Sequence, residues 1–230
     1  MVSADAINDG KPGPASDRVK VRRRAMRGSY DPELVHAILD EAFMCHVAFV
    51  DDGGPVVLPT LHVRRDDVLY IHGSPANRMI KRVSEGVPVC VEATILDSLT
   101  LSRAVAQNSV NYRSVVAFGS GSEVLDPVLK REVMLELIDR VVPGRLDRLR
   151  PMTEKELRGV RVIAVELSEY SAKVRTGPPT DHASDYDWPV WAGEVPLRIV
   201  PGTPIPDPAL PADTAVPEHV LSWGSDRRGV

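Results

Sequence analysis

The sequence predicts a mainly β (α+β) fold: an antiparallel sheet with helices outside it. Three observations predict this. Short runs rich in β-branched residues follow one another with turn residues between them. Their connections are hairpin-like, without the regular alternation of helices that builds a parallel sheet. At least six such runs occur, enough for closure into a barrel to remove exposed edges.

The elements follow in order. Residues 1–26 carry Gly and Pro without apolar periodicity and read as a disordered arm, whose basic end, Lys20 to Arg27, can touch phosphates or stay solvated. Residues 27–200 form the domain. Asp31-Pro32 caps a helix to about Met44, with Leu34, Ile38 and Ala42 on its apolar stripe. "HVAFV", a turn at "DDGG", "VVLPTLHV", a turn at "RRDD" and "VLYIHG" are strands and hairpin turns. Ser74 and Pro75 open a helix running to about Glu85, and Gly86 stops it. "VPVCVEATIL" and "YRSVVAFGSGSEVL" are further strands. Asp126-Pro127 opens a long helix that Pro143-Gly144 closes, and Thr153 with Glu156 has capping-box spacing. "VRVIAVELSEYSAKV" is a strand and "WPVWAGEVPLRIV" another. Residues 201–230 are a proline-rich extension, which Trp223 is expected to pin down.

Composition bounds the function. The chain has 230 residues, 43% hydrophobic and 26% charged, as expected for one globular domain. Only 5% are aromatic, so Val, Leu, Ile and Ala should fill the core. A net charge of -4 gives no overall attraction to nucleic acid or an anionic membrane. Cys45 and Cys90 lie in apolar runs and read as buried thiols in a reducing compartment. No run approaches a membrane span and no signal-peptide core opens the chain, so no membrane partner and a cytoplasmic location are expected.

One junction stands out: "YIHGSPANRMIKRV". A helix N-terminus offers free N–H groups and partial positive charge. Arg78 lies three residues before Lys81 and four before Arg82, so all three are neighbours on the helix surface. A phosphate dianion would relieve their repulsion; a solvated basic face is the plainer alternative. Elsewhere, "GSG" at Gly119 to Gly121 reads as a strand bulge. No hydrolase elbow, H-E-x-x-H or C-x-x-C occurs. A hairpin pairing Val63 with Val68 sends His62 and His72 to opposite faces, so no metal is assigned. At the strand's end, His72 can cover a planar ligand. Arg113 reads as either a tie to a carboxylate or a ligand contact. Trp188 and Trp191 read as lids on the core or stacking platforms.

"LYIHGSPANRMIKRVSEGVPVCVEAT", "NYRSVVAFGSGSEVLD", a helix ending in "PGR", and "VWAGEVPL" together resemble the pyridoxamine 5'-phosphate oxidase-like split-barrel proteins, in particular the nitroimidazole-resistance and flavin-nucleotide-binding group, over roughly residues 27–200. The resemblance implies a six-stranded antiparallel split barrel that is homodimeric, with FMN in grooves between subunits. It implies phosphate contacts from Gly73, Ser74 and Arg78 or Lys81. Pro59, Thr60 and Leu61 would lie along the flavin, and Asn111, Tyr112, Arg113, Ser114 and Trp191 would approach it or its partner-subunit edge. The oxidases' consecutive Ser, Arg and Lys are spread out here, and their C-terminal Arg-x-His is absent. The expected function is therefore an FMN-dependent oxidoreductase acting on a small molecule, with reduced nicotinamide as a possible donor and no catalytic residue assigned. The alternatives are a flavin- or haem-holding storage or sensor protein and a deazaflavin-dependent reductase.

Overall fold

The computed structural model describes residues 12–211 and 213–223. Eight strands share one antiparallel sheet among the described residues: β1 (Gly28–Ser29), β2 (Met44–Asp51), β3 (Gly54–Arg65), β4 (Val68–Gly73), β5 (Pro88–Leu101), β6 (Ser109–Glu123), β7 (Arg161–Arg175) and β8 (Gly193–Pro196). Pairing runs β7-β4-β3-β2-β5-β6 and returns to β7, with β1 added beside β7 and β8 beside β5. The sequence reading counted at least six strands and included the run that holds β8; β1, at two residues, is too short to show an apolar alternation.

Helices α1 (Pro32–Glu41), α2 (Arg78–Ser84), α3 (Pro127–Val141), α4 (Glu154–Gly159) and α5 (Glu218–Leu221) surround the sheet. Asp31 accepts the Glu33 N–H, Asp126 the Val128 N–H, and Thr153 with Glu156 completes a reciprocal capping box. The main core joins Ile38 and Leu39 of α1, Ile80 and Val83 of α2, and Val47, Ile71, Val91, Val115 and Val165 of the strands. Each fully buried aliphatic side chain stabilises by about 2 kcal/mol. A second core lies on the sheet's outer face, where Val133 and Leu137 of α3 meet Val63, Tyr70 and Val162.

Several boundaries differ from the sequence reading. The β3–β4 hairpin pairs Arg65 with Val68, two residues from the expected register, because Asp66 adopts φ +49 and the turn shrinks to Asp66-Asp67. A shift of two leaves every side chain on its face, so His62 and His72 still point oppositely. Strand β5 continues to Leu101 past an irregularity between Leu96 and Ser98. Strand β8 covers only four of the residues expected there. The Gly119 bulge is present: pairing to β7 shifts between Phe118 and Gly119.

Residues 12–26 do not form a free arm. Arg18 donates to Glu169 at 2.6 Å and lies 4.4 Å from the Phe118 ring centre, and Val19 is buried. The rest of the expected arm, residues 1–11, lies outside the described residues, as do 224–230 of the extension. Trp223 does pin the extension: its Nε1 donates to the Val141 carbonyl at 2.6 Å and its ring stacks on Phe43 at 5.6 Å. No helix among the described residues is long and apolar enough to cross a membrane.

Candidate functional site

The junction after β4 is built differently from the expectation. Helix α2 starts at Arg78, and Asn77, not Ser74, is its N-cap. Asn77 Oδ1 accepts the Met79 and Ile80 N–H groups, the Ser74 carbonyl accepts the Asn77 N–H, and Ser74 Oγ accepts the Ala76 N–H. Pro75 has no N–H. The donors that a helix terminus would aim at an anion are therefore largely used internally. Any anion here would be met mainly by side chains.

Those side chains are unequally free. Arg82 Nε lies 3.1 Å from Asp51, and the same guanidinium pairs with Glu85. Arg78 reaches Asp51 only at 3.7 Å and stays 61% exposed. Lys81 is exposed and has no ion pair among the described residues. The three cations thus grade from Arg82, paired twice, through Arg78, loosely paired and exposed, to Lys81, unpaired among the described residues. Gly73 lets α2 sit close, since a Cβ there would lie 2.8 Å from Ile80 Cγ1.

The expected flavin-side residues fall on both faces of β3. Thr60 points inward with Cys45 as its cross-strand partner, and its hydroxyl donates to the Leu61 carbonyl at 3.2 Å. Burial pushes the Cys45 thiol up to about 12, so it is an inert core group. Pro59 and Leu61 point outward, as do His46, Val50 and Val57. That outer face is uncovered: Val50 is 68% exposed, Val57 58% and Met44 45%. These side chains share the outer face of the β2–β3 pair. His46 and Glu92, 3.2 Å apart, sit on it.

His72 is on the same outer face as Tyr70 and is half-buried. Its Nδ1 is buried without a hydrogen-bond partner, and burial lowers its pKa, so the ring is neutral at pH 7. Two clefts, of ≈ 250 and ≈ 320 Å³, lie elsewhere, beside Arg18 and Gly119 and within the C-terminal extension.

The "NYRS" residues are mostly committed to the fold. Arg113 is clasped by Asp97 and by Glu41 of α1, the structural tie that the sequence allowed. Both carboxylates keep its guanidinium charged, with a pKa raised above the ordinary value. Asn111 is buried and donates to Ser98 Oγ, the Gly177 carbonyl and Glu194. Ser114 donates to the Lys173 carbonyl. Tyr112 faces outward opposite Arg175. Trp188 and Trp191 are 66% and 64% exposed, so neither is a lid on the core.

A family model described as pyridoxamine 5'-phosphate oxidase matches residues 31–174, which span the sheet from α1 to β7. The chain belongs to the pyridoxamine 5'-phosphate oxidase family. The flavocytochrome Anf3 from Azotobacter vinelandii is 37% identical, with a TM-score of 0.83 over 92% of this chain and 98% of that one. The FAD and heme binding protein from Mycobacterium smegmatis is 34% identical, with a TM-score of 0.79 over 85% of this chain and 96% of that one. A candidate 5-nitroimidazole antibiotic resistance protein from Bacteroides thetaiotaomicron, at 21% identity, a TM-score of 0.53 and 64% and 86% coverage, shares the fold. No curated protein matches. Within this family frame, the uncovered outer face, the exposed Arg78 and Lys81 of α2 and the neutral His72 form the candidate site.

Proposed function

We propose that the protein is a homodimeric, flavin- and haem-binding redox protein, an oxidoreductase of the cytoplasm. The observation that carries this is the likeness, over nearly the whole length of both chains, to two proteins, one a flavocytochrome and the other a binder of FAD and haem. FAD is the flavin of this reading. FMN, which the sequence resemblance implies, is the second reading and is favoured by the oxidase-family match.

The residues present fit such groups. Two exposed cations suit a nucleotide's phosphates, and a neutral imidazole with an orphaned nitrogen suits a polar ring edge or an iron. Arg78 and Lys81 would hold phosphate oxygens. Pro59, Leu61 and His72 would line the ring from the outer face, where the six long strands form a split barrel whose uncovered side meets a second copy. The flavin, when bound, supplies electron or hydride transfer; the chain binds it, orients it and keeps water out. A small-molecule substrate and a reduced nicotinamide donor complete the reading.

Freshly purified protein tests this directly. Flavin absorbance together with a Soret band is expected, and mass spectrometry of the released nucleotide separates FAD from FMN. Protein that is colourless and takes up neither group overturns the reading. Arg78→Ala and Lys81→Ala should each weaken nucleotide binding roughly tenfold while leaving riboflavin nearly unchanged, and Arg82→Ala should do less. Equal losses for nucleotide and riboflavin would move the phosphate elsewhere. Val57→Asp, in the middle of the uncovered face, should give a monomer in sedimentation and lower the flavin content.

A further inference from the structure

One end of the sheet carries apolar side chains on loop tips. Strand β7 finishes there: Arg175 donates to Thr100 Oγ1 at 2.7 Å and to the Val110 carbonyl at 3.1 Å, which sets the end of β5 and the start of β6 beside it. The connection between those two strands projects Val105, which is 96% exposed. A second loop is tied to that connection and to β5. Asp181 accepts the Arg103 N–H at 2.9 Å, and Gly193 pairs with Leu101, so the residues between them belong to the same end. They present Tyr186, Trp188 and Trp191, all exposed, and the Arg103 guanidinium lies 5.0 Å from the Tyr186 ring centre.

The third loop is basic. The register Gly28↔Lys173 starts β1 beside the end of β7, so the residues just before Gly28 lie at that end too. Val21 packs on Gly28, where a Cβ would lie only 2.8 Å from Val21 Cβ, and the Val21 N–H donates to the Tyr30 hydroxyl at 2.9 Å. Residues 22–27 are thereby closed into a compact loop. Within it Arg24 is held left-handed at φ +55, which is uncommon for a residue other than glycine. The loop exposes Arg22, Arg23, Arg24 and Met26, the last at 83%. Arg22 pairs with Asp17, whereas Arg23, Arg24 and Arg27 form no ion pair among the described residues. The acids of this end are partly used: Asp181 is taken by Arg103, and Glu194 accepts from Asn111 and Ser98, which leaves Asp185 and Asp187.

We propose that this end of the sheet docks on an anionic lipid membrane, with Met26, Val105, Trp188 and Trp191 entering the headgroup layer and Arg23, Arg24 and Arg27 meeting lipid phosphates. Apolar tips on separate loops suit a soft, penetrable surface better than a flat protein face. Tryptophan and tyrosine favour the boundary between headgroups and acyl chains, and cations beside them add attraction to anionic lipid. The expectation of no membrane partner rested on the net charge of -4 and on the lack of a spanning run, neither of which describes a local face. Salt limits each charge's reach to about 8–10 Å, so the nearest charges decide. The chain lies on the membrane without crossing it. The face is separate from the uncovered one of β2 and β3, since β2 pairs with β5 only from Val89 to Glu92, away from Thr100. Nothing in it rests on the flavin reading.

Phosphatidylcholine vesicles with and without about 30% phosphatidylserine are the probe, mixed with the full chain and pelleted. Binding to the anionic vesicles alone is expected, falling as salt is raised. Arg23→Glu combined with Arg24→Glu should weaken it by about tenfold or more, and Val105→Asp and Trp188→Ser by about threefold or more each. All four positions are exposed, and unchanged circular dichroism verifies the fold. Protein that stays in the supernatant, or pellets equally with both vesicles, overturns the proposal. So does binding at the wild-type level by the double charge variant or by Val105→Asp. Sedimentation velocity gives the remaining outcome: if Val105→Asp breaks a dimer, the face belongs to a second copy and the proposal falls.

Discussion

Gly119→Ala is expected to destabilise the protein by about 3 to 5 kcal/mol, a large share of the roughly 5–15 kcal/mol that holds a domain of this kind together. The reason is a backbone collision. A Cβ at Gly119 would overlap the Glu166 carbonyl oxygen and lie 3.0 Å from its carbonyl carbon. Neither atom can turn aside as a side chain could. Gly119 stands where the β6–β7 register shifts, and β6 and β7 pair over nearly their whole lengths. To admit a methyl group the ladder would have to part at that bulge. Gly121→Ala should cost less: its Cβ would meet Val83 and Ile163 side chains, which can shift, but also the Val83 carbonyl oxygen at 3.0 Å. Gly53→Ala is the control, since no atom lies within 4 Å of a Cβ there, and it should stay within about 0.5 kcal/mol of wild type. Urea midpoints give all three values. A Gly119→Ala protein within about 1 kcal/mol of wild type would mean that the two strands do not approach closely at this point.

What the sequence disclosed depended on the range of the signal. Asp31-Pro32, Asp126-Pro127 and Thr153 with Glu156 are caps made by residues two or three apart, and all three helices begin where those pairs place them. The same logic misplaced α2 because Ser74 and Asn77 are both good caps. Ser74-Pro75-Ala76 closes a turn of its own, leaving Asn77 to take the first free N–H groups. Ser98 and Thr100 lie beyond Leu96, where the sequence reading ended the strand, and they are buried because Asn111 and Arg175 supply their hydrogen bonds across the sheet. Arg113 could be read as a tie or as a ligand contact. Its partners Glu41 and Asp97 lie 72 and 16 residues away, and only the fold selects them. The charge balance at α2 was hidden in the same way, since Asp51, which neutralises Arg82, comes from the end of β2.

His62 should make stability fall steeply in mild acid. It is fully buried, its Nε2 is 2.8 Å from the Leu39 carbonyl, and its Nδ1 has no partner. Burial is the main reason its pKa is pushed down to about 4, with the Leu39 hydrogen bond opposing and Arg140 reinforcing the shift. In the unfolded chain the ring regains the ordinary value of 6.5. The unfolded state therefore takes up the proton first as pH falls. Stability due to the neutral ring is complete above pH 6.5, declines by up to about 1.4 kcal/mol per pH unit, and is gone below pH 4. Over that window the loss sums to about 3 kcal/mol. His72 shifts in the same direction through burial, so the comparison has to be a difference between wild type and a His62 variant. His62→Leu suits this purpose: the Leu39 carbonyl keeps the Arg140 guanidinium as a donor at 2.8 Å, and the orphaned Nδ1 is removed. The variant should match wild type to within about 1 kcal/mol at pH 7.5 and be the more stable of the two at pH 4.5. Denaturant unfolding at half-unit steps of pH reads both curves. Parallel curves would show that the ring titrates in the folded protein as it does in the unfolded chain, and would overturn the lowering by burial.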